Sequence, residues 1–275
     1  MIGRAWKRRS QFLFELALGM GLIFFTSMTF AADPDSANTN ANAVTDTSDT
    51  STTVADPYEK FNRGIFAFND KIDKYILKPI ATFYNKVMPH PLARGIRNFF
   101  FNIDTVPTVI NDALQANFYQ TTRDAWRLGI NSTVGILGFF DVAKHMGLAP
   151  NREDFGLTLA RWGYERSNYL VLPFFGPSTP RDTVGLPVDY YVFSVYPHIH
   201  PASTRYELYG AGIVSRRAEL LSFENVMQQA ALDRYVFVRD AYMQRRAWLI
   251  ERNKELNDPY LESDNSNEKN SQKNS

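Results

Sequence analysis

Along most of the chain, apolar residues recur at helical spacing. Phe61, Ile65, Phe68, Ile72 and Ile76 fall at i, i+4, i+7, i+11 and i+15, which lays them along one side of a helix. Asp56-Pro57-Tyr58-Glu59, just ahead of them, supplies an N-cap carboxylate, a proline at the first helical position and an acid at the third. The helix is therefore expected to start there. Lys78-Pro79 disfavours its regular continuation. Pro89-His90-Pro91 opens a second helix with Leu92, Ile96, Phe99 and Phe100 as its stripe. A third is expected from Val106 to Leu114, and a fourth from Tyr119 to Asn131, where Trp126 and Ile130 are spaced by four. From Ser215 to Asn253 there is no Pro or Gly, and Leu220, Val226, Tyr235, Val238, Tyr242 and Leu249 lie near one face. Strand signals are few: Tyr169 to Phe175 is apolar, but Pro173 limits it to an edge or an extended loop. The pattern predicts an all-α protein without internal repeats.

Two apolar stretches do not fit a simple inward stripe. Ser132 to Ala143 is apolar over about ten residues, carries Gly135 and Gly138, and is too short to cross a bilayer as a helix. It reads either as a buried core helix whose glycines allow close packing, or as a bent, mobile element at a lipid-contacting surface. In that second reading Ile136, Leu137, Phe139 and Phe140 meet the lipid. Phe99-Phe100-Phe101 cannot all face one core from a single helix, so at least one points to a second packed helix or to lipid.

The ends read differently. Arg4, Lys7, Arg8 and Arg9 precede an apolar stretch from Leu16 to Phe25, and small residues follow, the layout of a secretory signal. Cleavage after Thr29-Phe30-Ala31 is expected, with Ala32 as the alternative, so residues 1–31 form the leader. Residues 32–55 are Asp, Ser, Thr, Asn and Ala with almost no branched apolars, and residues 258–275 are similarly polar. Both are expected to be disordered, leaving 56–257 as the folded domain.

Composition narrows the function classes. The whole chain carries Lys+Arg 30 against Asp+Glu 29, net +1. Removing Arg4, Lys7, Arg8, Arg9 and Glu15 takes away +3 and leaves −2, no field to hold nucleic acid. No cysteine is present, which excludes disulfides, thiol nucleophiles and a lipid-modified Cys within these residues. The nearest nucleophile-elbow match, Gly176-Pro177-Ser178-Thr179-Pro180, fails at its last position. His198-Ile199-His200 lacks a neighbouring carboxylate to complete a metal set. Gly210-Ala211-Gly212 has no preceding strand and no third glycine, and Arg181-Asp182 and Arg239-Asp240 read as local ion pairs. No enzyme, cofactor or metal site is expected.

Several ordered motifs together resemble the MlaA family, also called VacJ. They are Asp56 through Asn69, Gly135 to Ala143, Glu153-Asp154-Phe155-Gly156 with Thr158-Leu159 and Trp162-Gly163, and Tyr169-Leu170-Val171-Leu172-Pro173. Gly176-Pro177-Ser178 with Arg181-Asp182, then Asp233-Arg234-Tyr235 and Val238-Arg239-Asp240-Ala241-Tyr242, complete the set. The resemblance implies a ring of amphipathic helices with a central channel and an apolar helical hairpin, lying in the inner leaflet of the outer membrane of Gram-negative bacteria. It implies removal of mislocalised phospholipid from the outer leaflet and delivery to a periplasmic carrier of the Mla type, with trimeric porins as partners. It also implies that Phe61, Asn62, Gly135 and Gly138 govern gating. A non-catalytic porin scaffold and a cryptic lipid hydrolase are the alternatives. Family members usually carry an acylated cysteine, which this sequence lacks, so attachment is expected through apolar helix faces and partners, or else to be weaker. The turn after Trp162-Gly163, usually glycine-rich, is here Tyr164-Glu165-Arg166-Ser167-Asn168.

Overall fold

The computed structural model describes residues 56–230 and 233–255, with the side chains of 225–230 left aside. The expected leader, linker and tail lie outside the described residues, as does the side chain of Val226.

The first helix, α1 (Glu59–Ile72), begins two residues later than expected. Asp56 instead caps the turn before it, accepting the Tyr58 amide at 3.1 Å, while its other oxygen accepts the Tyr235 hydroxyl from the far end of the chain. A π-helical turn (Asp73–Leu77) joins α1 to α2 (Lys78–Val87), and Pro79 stands in the first turn of α2, where a proline is tolerated. The second and third expected helices are one: α3 (His90–Leu114) runs 25 residues, about 38 Å, through Pro107. Side-chain hydroxyls occupy carbonyls beside the proline, Thr105 Oγ1 donating to Phe101 O at 3.0 Å and Thr108 Oγ1 to Asp104 O at 3.2 Å. α4 (Phe118–Thr133) follows, with Asn117 accepting the Gln120 amide as its cap.

Short elements come next: α5 (Val142–His145), α6 (Phe155–Arg161) capped by Asp154, and an antiparallel pair of β1 (Leu170–Leu172) and β2 (Gly176–Ser178). Pro173 sits in the turn between the strands, where no ladder donor is needed. α7 (Pro180–Val188) runs into a second π-helical turn (Asp189–Phe193) and a 3-10 turn (Tyr196–His198). The long Pro- and Gly-free stretch is two helices, α8 (Ala202–Ala230) and α9 (Arg234–Glu255). Asp233 restarts the helix by accepting the Tyr235 amide at 2.9 Å. Gly212 in α8 packs against Phe100, where a Cβ would lie 3.2 Å from the ring.

The burial pattern is inverted relative to an ordinary helical domain. The buried side chain of α1 is Asn62, whereas Phe61, Phe68 and Ile76 of its apolar stripe are exposed. α4 buries Gln120, Asp124, Arg127 and Asn131, at i, i+4, i+7 and i+11, and presents Phe118, Tyr119 and Trp126 at 71%, 70% and 64% exposure. Among the described residues, buried polar side chains outnumber buried apolar ones. Two apolar clusters remain inside, Phe175 with Tyr190, Tyr196, Tyr209 and Ile213, and Tyr169 with Val171 and Tyr235. Such an interior holds only if its polar groups are hydrogen-bonded, because an unpaired buried polar group costs about 1–3 kcal/mol.

Candidate functional site

A cavity of about 200 Å³ lies where α3, α6, α7, α8 and α9 converge. Asp104, Glu153, Asp154, Asp182 and Asp189 bring carboxylates to its wall, and Arg152, Arg245 and Arg246 bring guanidiniums. The rings of Tyr190, Tyr196, Tyr209 and Tyr242, with Leu186 and Leu249, supply its apolar faces. The wall is therefore amphipathic and dense in charge.

Arg246 is the hub. Its guanidinium bonds both oxygens of Asp154, Nη2 to Oδ1 at 3.0 Å, and reaches Asp182 as well. Tyr242 donates its hydroxyl to Asp182 Oδ2 at 2.7 Å, and Arg181 Nε donates to Asp182 Oδ1 at 3.0 Å. Burial works to raise the Asp182 carboxyl, but Arg246 and Arg181 outweigh it and hold the group below the ordinary carboxylate range. Gly156 makes this approach possible, since a Cβ there would lie 2.3 Å from Asp182 Oδ1. The opposite holds at Asp189. It accepts the Phe155 amide at 2.9 Å and Asn111 Nδ2 at 2.8 Å, yet burial and the neighbouring Asp154 push it up to about 7.

Behind the wall a second polar layer ties α3 to α9. Glu153 Oε2 accepts from Gln115 Nε2 at 3.0 Å and Asn253 Nδ2 at 2.7 Å, and Arg252 bonds Oε1 at 2.6 Å. Burial, then Glu153 and Asp124, push Asp112 up to about 9, so it is neutral at pH 7.

The stretch expected as an apolar helical hairpin is helical only over Val142–His145, while residues 134–140 are successive turns. Ile136 and Leu137 both adopt positive φ (52° and 55°) and stand 63% exposed. Phe140 is exposed too, but the Phe139 ring turns inward against Gly95, where a Cβ would lie 2.2 Å from it. Gly138 has φ +90°, and a Cβ there would lie 2.3 Å from Asn102 Cβ; one at Gly135 would lie 2.3 Å from the Phe140 carbonyl. Both glycines are buried and closely packed, so the close-packing role read from the sequence holds within a turn rather than a core helix. The base of the loop is pinned by Asp141, which accepts from Asn131 Nδ2 at 3.0 Å and pairs with Arg127, and by Asn102 Nδ2 donating to Ser132 Oγ at 2.9 Å.

Phe61 is exposed, while Asn62 donates to Asp56 Oδ1 at 3.0 Å and Tyr169 O at 3.2 Å and accepts the Val171 amide at 2.8 Å, locking α1 to β1. Phe61 and Asn62 thus lie at a different junction from Gly135 and Gly138. Of the three consecutive phenylalanines, Phe100 is 3% exposed and packs against α8, which removes it from lipid contact; a second helix, not lipid, covers it. Phe99 stacks edge-on to Phe100, and Phe101 lies under the Arg152 guanidinium at 4.4 Å. His198 and His200 are exposed, and among the described residues no group of three His, Cys, Asp or Glu is placed to hold a metal.

The charged wall was not legible as a site. Arg181-Asp182 and Arg239-Asp240 are the local pairs expected, but Asp182 also receives Arg246 from another helix. One signal was available: on α4 the polar residues, like the apolar ones, recur at helical spacing.

Fold and site together define a class, a mostly helical protein that gathers charge inward around a cavity and turns large apolar side chains outward. The chain belongs to the MlaA lipoprotein family, whose profile matches residues 54–248. An uncharacterized protein of Rickettsia bellii is 36% identical over 214 residues, 78% of this chain and 84% of its own length. The Escherichia coli K12 protein named intermembrane phospholipid transport system lipoprotein MlaA is 34% identical over 206 residues, 71% of this chain and 78% of its own. A solved structure described under "Structural basis for maintenance of bacterial outer membrane lipid asymmetry" matches with a TM-score of 0.60 at 31% identity. It covers 71% of this chain and 99% of that one.

Proposed function

We propose that this protein is a non-catalytic component of phospholipid transport at the periplasmic face of the outer membrane. It removes mislocalised phospholipid from the outer leaflet and passes it to a periplasmic carrier. The observation that carries this reading is the inverted burial: a charged cavity inside a helical body whose outer surface is aromatic. Moving a phospholipid through water exposes roughly thirty methylenes, about 24 kcal/mol gross at about 0.8 kcal/mol each. Dragging its headgroup through hydrocarbon strips the hydration of its charges. A polar interior enclosed by an apolar exterior lowers both penalties.

The order of packed neighbours supports a ring with a central path, running from α1 through β1, β2, α9, α6, α3, α8 and α2, and back to α1 through the π-helical turn Asp73–Leu77. Among the described residues no helix is long and apolar enough to cross a membrane. A position in one leaflet therefore agrees with exposed Phe83, Phe118, Tyr119 and Trp126. That surface and a trimeric porin partner hold the protein at the membrane. Gating by Phe61, Asn62, Gly135 and Gly138 is part of the proposal. Gly138 touches Asn102 on α3, the helix that carries Asp104 and Thr108 into the cavity wall. Larger residues at Gly135 and Gly138 then change the amount of outer-leaflet phospholipid; unaltered asymmetry refutes the gate.

Lipid extraction and mass spectrometry of the purified protein test the main reading. Bound phospholipid is the expected result. Porin binding with no lipid carried makes the protein a scaffold, and release of free fatty acid makes it a hydrolase.

A further inference from the structure

The outward faces of the helices differ in charge. α4 turns Phe118, Tyr119, Thr122, Ala125, Trp126 and Gly129 outward, none of them charged. α1 does not. Lys60 and Lys71 stand about three turns apart on its exposed side, and Lys74 continues their row into the π-helical turn. Phe61, Phe68 and Tyr75, each about two turns from the last, form a second exposed row beside the lysines. α2 adds Phe83, 67% exposed, and Lys86.

The acids of this segment are matched by arginines. Glu59 pairs with Arg63 at 2.7 Å, Asp70 with Arg234 of α9, and Asp73 with Arg217 of α8 at 2.6 Å. Lys78 is taken by Glu224 at 2.7 Å. Among the described residues Lys60, Lys71 and Lys86 make no ion pair, and Lys74 lies 5.8 Å from the centre of the Tyr75 ring. The outward excess is therefore positive and borders exposed rings. Resting on the leaflet position proposed above, we infer that the α1–α2 face docks on a bilayer leaflet rich in anionic phospholipid, its aromatic row entering the hydrocarbon and its lysine row meeting lipid phosphates.

A helix face lying in the interface plane can satisfy both rows at once, because lysine stems cover apolar surface while their ammonium groups reach the headgroups. The positive charge is spread along several turns, which suits a surface of many phosphates. A zwitterionic headgroup offsets its phosphate with its own amine, and an anionic one does not. Each lysine near an anionic surface then adds up to about fivefold in partitioning.

The test uses the full chain, purified in detergent, and flotation with vesicles of phosphatidylcholine alone or with about one third phosphatidylglycerol. Wild type should bind the anionic vesicles at least about tenfold more tightly, and raising salt from about 0.1 M to about 0.5 M should shrink that preference. The double variant Lys71→Gln/Lys74→Gln should lose about tenfold on anionic vesicles and less than about twofold on neutral ones, while Lys71→Arg/Lys74→Arg should keep the preference. Phe83→Ser should weaken binding to both vesicles alike, and no change there overturns the aromatic half of the inference. Unchanged preference in the folded glutamine variant, or equal losses on both vesicles, overturns the lysine half. A glutamine variant that keeps its lipid preference but no longer co-purifies with a trimeric porin assigns the face to a protein and overturns the docking. Wild type that yields bound phospholipid yet floats equally with both vesicles removes this inference and leaves the transport reading standing, whereas wild type that floats with neither and yields no lipid removes both.

Discussion

Replacing Arg246 by methionine strands two carboxylates that share one cation. The Arg246 and Asp182 side chains are only 10% and 9% exposed, so their attraction is little screened, whereas Asp154 is 43% exposed and is largely compensated by water. Most of the loss therefore falls on Asp182. Breaking a buried pair by removing one partner costs about 3–5 kcal/mol. Arg181 and Tyr242 remain bonded to Asp182, which places this variant near the lower end, about 3 kcal/mol. For a domain of 150–250 residues each kcal/mol moves Tm by about 2–4 °C, so a drop of about 6–12 °C is expected at pH 7.

The pH dependence carries the sharper test. In wild type the Asp182 carboxyl is held low, so its contribution is fully present above the ordinary carboxylate range and is lost only as pH falls through the lowered value. Without Arg246, burial dominates and raises the carboxyl, and protonating it becomes favourable. The gap between variant and wild type should therefore narrow as pH falls from about 7 to about 5. Thermal denaturation followed by circular dichroism in detergent reads both quantities. A gap that stays constant over that range, or a drop under about 2 °C at pH 7, refutes the reasoning.

Gly138→Ala places a side chain at φ +90° and a Cβ against Asn102; about 1–2 kcal/mol of backbone cost and about 1–3 of overpacking predict a clear fall in Tm, and an unchanged Tm contradicts it. Asn62→Ala removes the partners of the Tyr169 carbonyl and Val171 amide, costs about 2–4 kcal/mol, and should speed hydrogen exchange at Val171, which mass spectrometry of peptides spanning β1 detects. Asp189, raised to about 7, contributes stability that is full on the acid side and is lost as pH rises through that value. Tm should fall as pH rises from about 5 to about 7 and level off above it, and Asp189→Asn should flatten that slope.

Element positions were largely readable because local rules decide them. Pro89-His90-Pro91 did open a helix, and Tyr119 to Asn131 lies within α4. The errors came where no local signal marks the outcome: α3 runs on through Pro107, and Asp233 restarts a helix in a stretch without Pro or Gly. Close packing at Gly135 and Gly138 was readable as an option, but the positive φ of Ile136 and Leu137 was not, since neither residue favours it.

Helical spacing belongs to the backbone, so the chain alone determined which residues share a face: Phe61 with Phe68, or Gln120 with Asp124, Arg127 and Asn131. The direction each face points depends on what lies across from it, and that comes from residues far away. Asp182 meets Arg246 across 64 positions and Glu153 meets Asn253 across 100. Only the tertiary structure brings these charges together, and their pairing is what lets polar faces turn inward and leaves the aromatic ones outside.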